Sequence, residues 1–253
     1  TGLESARRRA EAGDRTKTEF LASLGHEVRT PLHTILATLE LATPVDDADR
    51  RRLDDATEAT RNLRDMFTNL LELAQFEVGT ARTTVHTVDL ARLVDDTVDR
   101  WRSPLATRGL LLVPDCPAGT EALVVTDLDR VAQILDALLD NAAKYAVPGT
   151  VRLSVATEAG AFVLRVGDDG PGIEDDLLDK VFEPFARAAG PSDRPAGSGV
   201  GLALVRRIAE YLGGRAVAER SATGGLEIVV SLPGGGPTTP ADDTEGAGGW
   251  PTG

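Results

Sequence analysis

Cysteine is almost missing from this chain. Cys116 is the only one in 253 residues, which excludes an internal disulfide and a cysteine-built metal cluster and fits a reducing compartment. Positive charge is also short: 27 Lys and Arg stand against 40 Asp and Glu, a formal net charge of −13. That argues against a general nucleic-acid binder, which needs a basic face for phosphate backbones. It leaves a single nucleotide open, because a nucleotide needs only a local cradle. No run of about 18 apolar residues occurs, so no stretch reads as a membrane-crossing helix. The sequence opens with neither an initiator Met nor a signal-peptide pattern. The expectation is a piece of a longer protein with a sensor upstream. This stretch is expected in the cytoplasm, and membrane anchoring of the whole is left open. What is present is 42% apolar residues, enough for a core in one large or two small domains.

Residues 3–42 carry helix formers with few breaks. Phe20, Leu24, Val28, Leu32, Ile35 and Leu39 recur at steps of four and three, a helical stripe. Pro44, Asp46 and Asp47 mark a turn and a new helix start. Over 46–77 the series Leu63, Met66, Leu70, Leu73 forms an a/d seam. Two helices joined by a short turn predict an antiparallel hairpin, and each buries only one stripe within it. Two copies packed together bury both, so a dimeric four-helix bundle is expected.

The polar run 77–84 breaks this pattern. Beyond it the sequence predicts a short strand in "VHTVDL", a helix over 89–107, a strand over 122–126 and a helix over 127–146. A hairpin turning near 158–160, a helix over 199–212 and a final hairpin follow. This is an α/β sandwich (α+β in class): one mixed sheet with helices on one face. The expected domains are 1–78, a linker over 79–85, and 86–233. The Gly, Pro, Thr and Asp-rich residues 234–253 read as a disordered tail.

The stretch "FLASLGHEVRTPLHTIL" sets a His, a Glu, an Arg and a Pro into the first helical stripe. A neutral imidazole is a good nucleophile near pH 7, so His26 on an exposed helix position offers a ring nitrogen to a phosphoryl group. Glu27 can accept from the other ring nitrogen and fix the tautomer. Arg29 suits phosphate oxygens, and Pro31 removes an N–H and loosens the turn. His33 lacks a following Glu and reads as packing or surface; His86 reads as structural.

"FLASLGHEVRTPL" resembles the phosphoacceptor box of sensor histidine kinases, with Gly25 in place of the customary Ser. Four more boxes of that family follow in order. "DRVAQILDALLDNAAKYA" is similar to the asparagine box. The resemblance implies that Asn141 binds Mg²⁺ through its side-chain oxygen and that Lys144 and Tyr145 face the nucleotide; Ala137 stands where a second Asn is common. In "DDGPGI", Asp168 follows an apolar strand and can accept from the adenine amino group, with Gly170 and Gly172 allowing a tight turn. "FEPFAR" resembles the phenylalanine box, with Phe182 and Phe185 anchoring a loop over 186–198 read as a lid. Arg187 and Arg194 are its candidate phosphate contacts. In "GSGVGLALVRRIAE", Gly197, Gly199, Gly201 and Leu202 lead into a helix whose first N–H groups suit phosphate oxygens. No Lys-Ser/Thr pair follows, so this is not a Walker loop.

The resemblance implies ATP-dependent phosphorylation of His26, with ATP and Mg²⁺ as cofactors, a homodimer, and phosphotransfer to an aspartate on a response-regulator receiver domain. Thr30, four residues after His26, resembles a position that orients water in family members that also dephosphorylate the regulator. Two alternatives of different class are a non-catalytic dimeric scaffold and an ATPase of the same nucleotide-binding superfamily that needs no such histidine. A serine kinase of the anti-sigma type is a third. The phosphoacceptor box, the intact Asn141, Asp168 and glycines, and the hairpin argue against all three.

Overall fold

The computed structural model describes residues 28, 30, 32–39, 41–115, 123–158, 160–186 and 199–234. Residues 32–39 are helical, as are 28, 30 and 41, and together they mark α1. Leu32 and Leu36 are buried, whereas Ile35, expected in the buried stripe, is 47% exposed. Helix α2, Asp47–Val78, starts where the acidic turn predicts. The Asp46 carboxylate accepts the Asp49 N–H at 2.7 Å, and the Asp49 carboxylate accepts the Val45 N–H at 3.1 Å. The first bond satisfies a backbone donor that the helix start leaves orphaned, and the second ties the residue before the cap to the first turn. Gly79 closes the helix in a left-handed conformation, its N–H returning to the Gln75 and Phe76 carbonyls.

The second half alternates strands and helices: β1 (His86–Asp89), α3 (Leu90–Ala106), β2 (Leu110–Asp115), β3 (Leu123–Thr126), α4 (Leu128–Tyr145), β4 (Gly149–Glu158), β5 (Ala161–Asp168), α5 (Gly201–Tyr211), β6 (Arg215–Arg220) and β7 (Leu226–Pro233). Two sheets form where one was expected. The main sheet has order β2-β4-β5-β7-β6, with β2 parallel to β4 and the other pairs antiparallel. Strands β1 and β3 pair separately. Strand β2 was not expected; it is an edge strand, the place where Pro114 is tolerated.

One face of the main sheet is apolar. Val151, Leu153, Val155, Phe162, Leu164, Val166, Ile228, Val230 and Leu232 are buried there in one core with α3, α4 and α5. The opposite face carries Arg152, Ser154, Arg165, Glu227 and Ser231 around the buried Val163 and Val229.

The last turns of α2 join this core. Phe76 is buried within it, and Leu73, expected in the dimer seam, packs against it. The Phe76 ring meets Tyr211 edge-on at 4.9 Å, with the Arg130 guanidinium 5.1 Å above it. The Glu72 carboxylate accepts from the Gln133 amide and lies 3.8 Å from Arg130. The linker is tied down as well: the Tyr211 hydroxyl donates to the Ala81 carbonyl at 2.6 Å, and the Thr84 N–H donates to buried Asp127 at 2.8 Å.

Candidate functional site

Four helix starts show how the sequence sets this site apart. Helices α2, α3 and α4 each begin on an Asp whose side chain accepts first-turn N–H groups: Asp46, Asp89 and Asp127. Helix α5 begins after Val200 with no side-chain cap, and Gly201 is its first residue. An acidic cap there would repel an anion; its absence leaves the positive end of the helix dipole toward whatever approaches. Leu202 packs partly buried against the core and fixes the helix start.

The phenylalanine box holds this start. Phe182 is buried, with the Arg206 guanidinium of α5 stacked 4.2 Å from its ring. Phe185 donates its N–H to the Gly199 carbonyl at 2.8 Å, which draws residues 185 and 199 together. A side chain at Gly199 would strike the Phe185 backbone, its Cβ falling 2.9 Å from Cα. Residues 183–186 make a turn in which the Ala186 N–H reaches the Glu183 carbonyl at 3.1 Å. Pro184 takes the second position and Phe185 the third, with φ 66°. Glycine is the usual occupant of that conformation. A phenylalanine held there is strained backbone at the neck of the expected lid.

Asp168 ends β5. Its Oδ1 accepts from the Gly170 N–H at 2.7 Å and lies 3.4 Å from the Leu226 N–H, which fixes the carboxylate between its own loop and the start of β7. The β6–β7 turn lies against it. Gly225 approaches so closely that a Cβ there would overlap the Asp168 carbonyl, and Gly172 faces the Gly224 carbonyl. Asp169 points elsewhere. It accepts from Thr223 at 2.6 Å and Arg152 at 2.8 Å. The Thr223 hydroxyl is the largest influence and lowers its carboxyl; burial opposes it, and Arg152 with the Thr150 N–H adds to the lowering, so the group sits below its ordinary value.

Asn141, Lys144 and Tyr145 share the last turns of α4, which packs against α5 and β5. Lys144 lies at the Asp140 carboxylate, 2.6 Å away on its own helix. Asn141 is half-buried on that helix. Thr30 is helical and exposed, and its carbonyl accepts from the Thr34 hydroxyl. His26, Glu27, Arg187, Arg194 and Gly197 lie outside the described residues. Sequence reasoning missed Arg152, Asp169, Ser221, Thr223 and Gly225. The only signal for them was turn chemistry in "SATGG" and the second Asp of "DDGPGI".

Comparisons with known proteins bear on both halves. Residues 16–79 match the family model for the His Kinase A (phospho-acceptor) domain. Residues 126–235 match that for the histidine kinase-, DNA gyrase B- and HSP90-like ATPase. The chain is 33% identical over 238 residues to the autoinducer 2 sensor kinase/phosphatase LuxQ of Vibrio cholerae, covering 91% of this chain and 28% of that protein. It is 31% identical over 229 residues to the signal transduction histidine-protein kinase BaeS of Escherichia coli, covering 88% of this chain and 48% of that protein. It therefore spans less than half the length of these relatives. Among solved structures, full-length ShkA in complex with AMPPNP superposes with a TM-score of 0.70 at 26% identity, covering 85% of this chain and 45% of that one. The Acinetobacter baumannii histidine kinase AdeS shares the fold, with a TM-score of 0.60 at 24% identity over 83% of this chain and 98% of that one. No helix among the described residues is long and apolar enough to cross a membrane. A segment matching the phospho-acceptor model followed, in one chain, by one matching the ATPase model is the arrangement of one family: the chain belongs to the sensor histidine kinases of two-component systems.

Proposed function

We propose that this chain moves the γ-phosphoryl group of ATP to a ring nitrogen of His26 and then to an aspartate of a response-regulator receiver domain. The pairing of the segment around His26 with a preset nucleotide module carries the reading. In the first step the His26 lone pair forms an N–P bond, the bond from the γ-phosphorus to the ADP oxygen breaks, and ADP leaves. The protein contributes position and charge more than covalent chemistry.

Asp168 accepts from the adenine amino group, beside Gly170 and Gly172. The first N–H groups of α5, at Gly201 and Leu202, with Gly197 and Gly199 before them, take phosphate oxygens. Lys144, Tyr145 and the lid residue Arg187 complete the cradle, and Phe182 and Phe185 hold its wall. Glu27 orients the imidazole. Thr30 supports a second activity, the positioning of water to dephosphorylate the regulator.

Among the described residues no group of three His, Cys, Asp or Glu could hold a metal alone. Asn141 supplies one hard oxygen at a half-buried position, which fits Mg²⁺ held jointly by protein and phosphates. When bound there, Mg²⁺ neutralises phosphate charge.

The division into 1–78, linker 79–85, 86–233 and tail 234–253 belongs to this reading. So does a homodimer through α1 and α2, supported by Ile35 and Leu63, 47% and 49% exposed in the single chain. Incubation with γ-labelled ATP and Mg²⁺ should give an acid-labile, base-stable phosphoprotein that loses its label to added receiver domains. A label that survives acid, as on Ser or Thr, would overturn the proposal.

A further inference from the structure

Two acidic residues stand side by side at the end of β5, and they do different work. Asp168 carries the base-recognising role proposed above; Asp169 is turned away from it and bonded to the β6–β7 turn. Thr223 donates to Asp169 at 2.6 Å, and Arg152 of β4 donates to Asp169 at 2.8 Å and to Thr223 at 3.3 Å. The turn is tied in the other direction to Asp168. Buried Ser221 donates its hydroxyl to the Asp168 carbonyl at 2.9 Å and accepts the Gly225 N–H at 3.0 Å, and its oxygen lies 3.0 Å from that of Thr223. The residue after Gly225, Leu226, supplies the second N–H near the Asp168 carboxylate.

We infer that Arg152, Asp169, Thr223 and Ser221 are positioning residues that clamp the β6–β7 turn over Asp168 and thereby set its selectivity for adenine over guanine. The clamp rests on the reading of Asp168 as the acceptor for the base. Its ion pair is a poor candidate for a stability device, because both side chains stay partly exposed, at 42% and 28%, and such pairs contribute little to folding. Its geometric effect is larger. The β6–β7 turn supplies one hold on Asp168, through the Leu226 N–H, and that hold exists only while the turn stays down. Adenine presents an amino donor where guanine presents a carbonyl acceptor. A carboxylate fixed in place favours the first and repels the second, whereas one free to swing loses that discrimination.

The test is ADP and GDP affinity, measured with Mg²⁺ by calorimetry on the 253-residue chain, beside the melting temperature. Thr223→Val and Arg152→Gln should each raise the ADP Kd about tenfold, while the GDP Kd stays within about twofold and the melting temperature within a few degrees. Thr223→Ser, which keeps the hydroxyl, should bind ADP like the parent. Equal losses for ADP and GDP together with a large drop in melting temperature would overturn the inference in favour of a structural role. Unchanged ADP binding in both variants would also overturn it. Asp168→Asn separates the two readings. If it abolishes ADP binding while the clamp variants do nothing, only the clamp fails; if it leaves ADP binding intact, the base-recognition reading fails and the clamp with it.

Discussion

Helix α2 has 32 residues and buries one of them, Phe76; α4 has 18 and buries six. Both are continuous helices, so continuity is not what separates them. Helix α4 faces the main core along its length, and its apolar stripe is satisfied within the chain. Helix α2 spends only its last turns on that core. Its middle carries Leu63 half-exposed and Met66 and Leu70 partly covered. A long helix draws most of its stability from packing rather than propensity, so α2 is complete only against another surface, for which a second copy of the hairpin is the proposal. The nucleotide module, by contrast, carries its own core. One region of the molecule is finished by folding; the other, on the proposed reading, is finished by association.

That contrast can be broken experimentally. The largest effect is expected from Leu63→Glu. A charge placed in the proposed seam should convert the dimer to a monomer by light scattering while leaving ADP affinity unchanged. A dimer that persists would mean that α2 pairs through another face. Next comes Phe76→Ala. Phe76 lies on α2 but belongs to the module core, so its truncation should cost about 3 kcal/mol or more, read as a lower melting temperature of the module and not as a change in mass. If only the dimer weakened, the assignment of Phe76 to the module would be wrong. The smallest effect is expected from Glu72→Gln, which removes the charge facing Arg130. With side chains 25% and 19% exposed, the pair should contribute about 1 kcal/mol at most, visible in denaturant melts at low salt and fading as salt rises.

The same contrast explains what could be read in advance. Helix starts were legible because their chemistry is local: Asp46 and Asp127 cap within three residues. The glycine and phenylalanine turns of the candidate site were legible because each is a short run around one backbone feature, such as Gly199 under Phe185. Strand β2 was missed because "LLLVPD" carries a proline and pairs in parallel with a strand about 40 residues later, at Leu110 and Gly149. Leu73 fits the α2 heptad as well as Leu70 does; nothing local reveals that one packs on the module. Arg152 and Thr223 meet Asp169 across 17 and 54 residues of sequence, and no periodicity encodes such a meeting. Local chemistry shows in the sequence, while long-range partners wait for the fold.

The central claim is that one imidazole receives the phosphoryl group, and one experiment addresses it most directly. The parent chain, His26→Gln and His33→Gln are incubated with γ-labelled ATP and Mg²⁺, and acid-labile label is counted beside ADP affinity. The account predicts label on the parent and on His33→Gln, none on His26→Gln, and the same ADP affinity in all three. Label on His26→Gln, or its loss from His33→Gln alone, would contradict it.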